Sequence, residues 1–141
     1  MTELQTETIQ DKLFRLNINI QFIEDILTLS DNEIIKGKDT AKYPALEHML
    51  QLSIQIIIDV GSSILAEKFH ENPPTYADVI LALGKRGIIT EAFAKKHEEI
   101  TKFRNKLVHG YGNVDPLKVL EYARLAPEVF RTFGKAFAKH I

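Results

Sequence analysis

Within the stretch RNKLVHGYG, Arg104 to Gly112, stand an arginine, a histidine and a tyrosine, with a glycine on each side of the tyrosine. These are residue types that phosphate chemistry uses. A guanidinium offers a planar fork of donors to phosphate oxygens, and an imidazole transfers protons near neutral pH. A histidine in the last turn of a helix also feels the negative end of the helix dipole, which favours its protonated form and lets it donate to a phosphate or a leaving oxygen. At about 100° and about 1.5 Å per residue, Arg104 and His109 would stand about 140° apart in azimuth and about 7.5 Å apart along the axis, so they do not share a face. Gly110 and Gly112 predict that the helix ends or bends near His109. Ordinary helix ends use the same residues: Arg104 as a surface arginine near Glu98 or Glu99, His109 as a terminal-turn histidine, Tyr111 as a packed loop aromatic. The rest of the chain has to choose between the two.

Composition narrows the choice. A chain of 141 residues, 45% hydrophobic and 26% charged, has the size of one domain spanning 1–141 and a composition able to form a core. It has no cysteine, so disulfides and thiolate metal sites are excluded and a reducing cytoplasm is the expected setting. The acidic, polar start MTELQTETIQDK does not read as a secretion signal. The apolar run LSIQIIIDVGSSIL is too short to span a bilayer and contains Gln55 and Asp59, so it reads as a buried helix and not as a membrane anchor. The formal net charge of −1 argues against a broadly basic nucleic-acid track, but it hides a polarity. Residues 1–33 carry seven carboxylates against two cations, a net −5; residues 95–106 carry five cations against two carboxylates, a net +3. The motif therefore sits in a locally basic segment, with Lys102 and Lys106 read as solvated.

The elements that must position it are helical. Ile9, Leu13, Leu16, Ile20, Ile23 and Leu27 recur at steps of four and three, one stripe of a long first helix. Ser30 and Glu33 have capping-box spacing for a short helix before Gly37. A second long helix is predicted from about Asp39 or Pro44 to about His70. Its apolar arc, Leu46, Leu50, Ile57, Val60 and Ile64 with Met49, Leu52 and Ile56 beside them, is broad enough for the bundle centre or for a second subunit. The loop ENPPTYAD follows, then a short helix capped by Thr75 and running through Leu83. Thr90 opens a helix that carries Phe93, Ile100, Phe103 and Leu107 up to the motif. Asp115 and Pro116 start the last helix, which runs to about Lys139. The expectation is an all-α antiparallel bundle of about four long helices plus short ones.

Enzyme motifs of other kinds fail. HEEIT at His97 has Thr101 where a zinc motif needs its second histidine, and the five histidines show no ligand spacing, so no metal and no cofactor is expected. There is no phosphate-binding glycine loop and no GxSxG.

RNKLVHGY is similar to the signature of the HEPN superfamily of ribonucleases, an arginine, a polar residue, and a histidine a few positions on. The form with a tyrosine two residues after the histidine resembles the HepT toxin family. ALEHMLQLSIQIIIDVGSSIL, PPTYADVILALGKRGII and FRNKLVHGYGNVDPLKV resemble its successive segments, in order, over nearly the whole chain. This resemblance implies a dimerising HEPN bundle, the toxin of a toxin–antitoxin pair, acting as a metal-independent ribonuclease in a cleft at a homodimer interface. Arg104 and His109 would be catalytic and Asn105 the supporting polar neighbour. Tyr111 would accept AMP from an MntA-like antitoxin, a minimal nucleotidyltransferase, with which the dimer would form a larger hetero-assembly. A different class of function stays open beside it: a non-catalytic HEPN partner that binds nucleotide or the nucleotidyltransferase through the same cleft.

Overall fold

The computed structural model describes residues 1–110 and 114–141, and among these the chain is helical with no strand. Seven helices follow in order: α1 (Glu3–Ile26), α2 (Asp31–Lys36), α3 (Lys42–Phe69), α4 (Tyr76–Lys85), α5 (Glu91–His97), α6 (Ile100–His109) and α7 (Pro116–Ala138). Local chemistry sets most of the boundaries. Thr2 with Gln5 and Ser30 with Glu33 form capping boxes, and Thr75, Thr90 and Asp115 each accept a backbone N–H from the first turn of the helix that follows. At the end of α3, His70 takes a left-handed conformation (φ 53°), and the N–H groups of His70 and Glu71 close back on Ala66 and Leu65.

α3 is the centre. It packs against α1, α2, α4, α6 and α7, and ten of its residues are buried. By length and composition α3 could cross a membrane, but half of its most apolar window is buried inside the bundle. The wide arc of this helix divides as its two readings allow: Leu46, Leu50, Ile57, Val60 and Ile64 face the core, while Met49 and Ile56 are half-buried and Leu52 is exposed. The α1 stripe closes one side through Leu16, Ile20 and Ile23, and α7 closes another with Phe130, Phe133 and Phe137, all buried.

α1 runs antiparallel to α3 and to α7. Lys12 meets Asp59 across α1 and α3, while Arg131 pairs with Glu24 and Arg124 with Asp31, joining α7 to α1 and to the start of α2.

One predicted element is corrected. The helix expected to run unbroken from Thr90 to the motif is interrupted at Glu98 and Glu99, giving α5 and α6, so three helices are long and the fourth is divided. Thr101 Oγ1 donates to the Glu98 carbonyl and the Lys102 N–H to that of Glu99, restarting the helix after the break. The cause is tertiary: α5 packs on α4 and sets Phe93 edge-on to Phe133, whereas α6 packs on α3 and α4 and sets Phe103 against Tyr122.

Candidate nucleotide-phosphate site on α6

α6 is fixed from beneath. Ile100 and Thr101 are buried, Phe103 lies 4.2 Å from the Tyr122 ring, and Leu107 packs on the core. This leaves Asn105, Lys106 and His109 on the exposed side of the helix.

Arg104 is half-buried. Its Nη1 donates to Asn105 Oδ1 at 3.1 Å, and its Nε is buried without an acceptor among the described residues. No carboxylate there pairs with it, which separates it from Arg86, Arg124 and Arg131, each held by one. A guanidinium steadied at one edge and free of a counter-charge is suited to receive an anion.

His109 is exposed in the last turn of α6. Gly110 caps that helix and donates to the Lys106 carbonyl at 2.7 Å. Because α6 is continuous from Arg104 to His109, the two side chains leave the helix on different sides, as their spacing requires. Tyr111 lies outside the described residues.

The chain after the motif returns to the helix end. A Cβ built on Gly110 would come within 2.9 Å of Val114 Cγ2, so these two residues touch. Asp115 then caps α7, and its carboxylate acts on Tyr43 in the first turn of α3. Tyr43 and Glu47, one turn apart on α3, are half-buried. Burial, then the Glu47 and Asp115 charges, raise the Tyr43 phenol well above the ordinary tyrosine range. Burial raises the Glu47 carboxyl, opposed by the neighbouring Tyr43 phenol.

A second surface stands out. Between α1 and α3 runs a largely apolar groove of about 470 Å³, lined by Ile18, Phe22, Met49, Leu52 and Ile56 among others. Phe14 beside it is 69% exposed, Ile18 42% and Phe22 40%, so three large apolar side chains face water one turn apart on α1. Within the groove, Asn19 Nδ2 and Gln55 Oε1 are a buried donor and a buried acceptor without partners among the described residues. Arg104 and His109 line neither this groove nor the larger one, about 550 Å³, between the α4–α5 turn and the end of α7.

Comparison with known proteins gives the family and the fold. The family described as ribonuclease HepT-like matches residues 16–136. A tRNA nuclease HepT of Aphanizomenon flos-aquae is 36% identical over 73 residues; the match spans 52% of this chain and only about half (50%) of that protein's length. Among solved structures, a tri-AMPylated HEPN toxin of Shewanella oneidensis in complex with an MNT antitoxin superposes with a TM-score of 0.82 at 18% identity, covering 99% of both chains. A toxin–antitoxin complex with AMP-PNP gives 0.79 at 19% identity, covering 97% of this chain and 99% of that one. At such identities the two superpositions establish the fold.

Proposed function

The chain belongs to the HepT-like ribonuclease family, and from that premise we propose that it is the toxin of a toxin–antitoxin pair, a metal-independent ribonuclease neutralised by adenylylation of Tyr111. The observation that carries this reading is Arg104: a half-buried guanidinium, steadied by Asn105 and without a carboxylate partner, on the helix that ends in His109.

The chemistry follows from the side chains. RNA supplies its own nucleophile, the 2′-hydroxyl. Arg104 holds the non-bridging phosphate oxygens and stabilises the charge that grows on them as phosphorus becomes pentacoordinate, so the step runs without a metal. His109 transfers a proton. The products are a 2′,3′-cyclic phosphate, or its opened form, and a 5′-hydroxyl.

A second copy of the chain completes the site. The groove between α1 and α3 gives that copy an apolar surface, and its polar contents are self-complementary: among the described residues Asn19 brings an unpaired donor and Gln55 an unpaired acceptor. A twofold contact lets each group meet its complement on the other copy. The same axis can bring two motifs into one cleft, where a second His109 would share the proton transfers.

An MntA-like nucleotidyltransferase antitoxin transfers AMP from ATP to Tyr111. The added phosphodiester and adenosine then compete with RNA for Arg104 and fill the cleft, so inhibition is both electrostatic and steric.

Expression in a bacterial host tests the reading. The chain is expected to arrest growth, His109→Ala to relieve the arrest, and co-expression of the nucleotidyltransferase to relieve it only when Tyr111 is present. Growth that is unaffected by the wild type would leave the non-catalytic binding partner as the function.

A further inference from the structure

Of the seven helices among the described residues, α6 alone has no aspartate or glutamate. It carries Lys102, Arg104 and Lys106 besides His109, and the nearest carboxylates along the chain, Glu98 and Glu99, stand before its first residue. Its exposed residues are Lys102, Asn105, Lys106 and His109. At about 100° per residue these four fall within an arc of about 100°, a single stripe. Ile100 is buried and Phe103 and Leu107 pack on the core from the other side of the helix. Arg104 starts outside the stripe, but its Nη1 donates to Asn105 Oδ1 at 3.1 Å, so its guanidinium reaches the stripe's edge. At a rise of about 1.5 Å per residue, Lys106 stands about 4.5 Å and Lys102 about 10.5 Å along the axis from His109. Two cations follow the histidine in a row.

Neither lysine is explained by the fold alone. Lys106 forms no salt bridge among the described residues, and Lys102 meets Glu99 only at 3.8 Å, between side chains 75% and 74% exposed. An exposed pair of that kind holds a lysine weakly. Lys106, in the last turn, complements the negative end of the helix dipole. Lys102 does not: it stands in the first turn, where the dipole is positive and a cation is unfavourable.

Resting on the ribonuclease reading, we propose that this stripe is the track of the RNA strand. With the scissile phosphate held at Arg104 and His109, Lys106 and then Lys102 neutralise the phosphates on one side of it, and the strand runs along α6 toward its first turn. These contacts are to the backbone, so they set affinity and register and read no base. An acidic protein surface would also meet two lysines; their alignment with His109 favours the strand on which that histidine acts.

The test measures the affinity of unfractionated tRNA over a series of salt concentrations in the non-cleaving His109→Ala background. The variants are Lys102→Gln, Lys106→Gln and the two combined, with Lys36→Gln, an exposed lysine in the last turn of α2, as control. Each α6 substitution is expected to weaken binding about three- to tenfold at ~0.1 M salt and to lower the slope of log K against log salt by about 0.7–0.9. The combined variant loses about twice that slope, and Lys36→Gln changes neither quantity. Lys102→Arg and Lys106→Arg keep both affinity and slope. With His109 restored, single-turnover cleavage at saturating protein keeps its wild-type rate, while the protein concentration that gives half of that rate rises in step with the lost affinity. Affinity and slope that stay unchanged, or that change as much in Lys36→Gln, would overturn the track and leave the ribonuclease standing on Arg104 and His109. Loss of affinity together with a fall in melting temperature would also overturn it, in favour of a helix-stabilising role. Failure of the wild-type chain to cleave would remove the ribonuclease reading itself, and the proposal with it.

Discussion

Val114 lies against Gly110 so closely that a methyl group on the glycine would stand 2.9 Å from Val114 Cγ2 and press into the Lys106 carbonyl. The Gly110 backbone is an ordinary right-handed one (φ −75°), so the glycine is required here for space and not for angle. Gly110→Ala must move either the end of α6 or the return of the chain at Val114. Its expected cost in stability is about 1–3 kcal/mol. Its larger effect is on His109, the preceding residue, and the check is a cleavage rate that falls at least tenfold at a temperature where the variant remains folded.

The core has a simpler test. Phe133 is fully buried and meets Phe93 edge-on at 5.1 Å. Phe133→Ala removes a ring from a closed space and is expected to cost about 3–5 kcal/mol in chemical denaturation. The exposed Arg131–Glu24 pair, joining α7 to α1, is worth about 0–1 kcal/mol, so Arg131→Met should hardly move the midpoint.

The groove between α1 and α3 is expected to hold the second copy. Phe22→Glu places a charge on a surface that would otherwise be covered, while Phe22 is already 40% exposed in the single chain. The variant should sediment as a monomer, melt close to wild type and lose RNA cleavage. A dimer of unchanged mass would assign the contact to another face.

His97 gives a pH dependence of stability. Burial, with a smaller part from the Lys96 ammonium, lowers its imidazole below the ordinary value of 6.5, and its ring lies 4.4 Å from that of Phe93. A base whose folded value is depressed favours the fold while neutral. Its contribution is whole above the unfolded value of 6.5 and is lost as pH falls below 6.5 toward the folded value. Melting temperatures compared at about pH 7.5 and about pH 5.5 should therefore fall less for His97→Phe than for wild type.

Tyr111 separates activity from control. Tyr111→Phe is expected to keep RNA cleavage and to accept no AMP from the nucleotidyltransferase, read by mass spectrometry of the intact chain. An AMP adduct on the variant would place the acceptor elsewhere.

Much of the helical order was legible because its causes are local. The Ser30–Glu33 box, the Thr75 cap and the Asp115–Pro116 start each involve groups within a few residues, and each appears at its expected place. The interruption at Glu98 and Glu99 was not legible, because it follows from packing α5 and α6 on different neighbours, which the apolar stripe of Phe93, Ile100, Phe103 and Leu107 does not encode. The site divides in the same way. Arg104, Asn105 and His109 could be nominated from residue type and spacing, and the bond from Arg104 to Asn105 is a contact between sequence neighbours. The burial of the Arg104 Nε could not, since it comes with the packing of α6 on its neighbours.

The most direct measurement is incubation of total cellular RNA with purified protein in EDTA, comparing wild type with Arg104→Ala and His109→Ala and reading the product ends. The expected result is cleavage that survives EDTA, leaves 2′,3′-cyclic phosphate and 5′-hydroxyl ends, and falls by about 10² or more in both variants while their melting temperatures hold. Absence of cleavage by the wild type, or equal cleavage by all three, would contradict catalysis by Arg104 and His109.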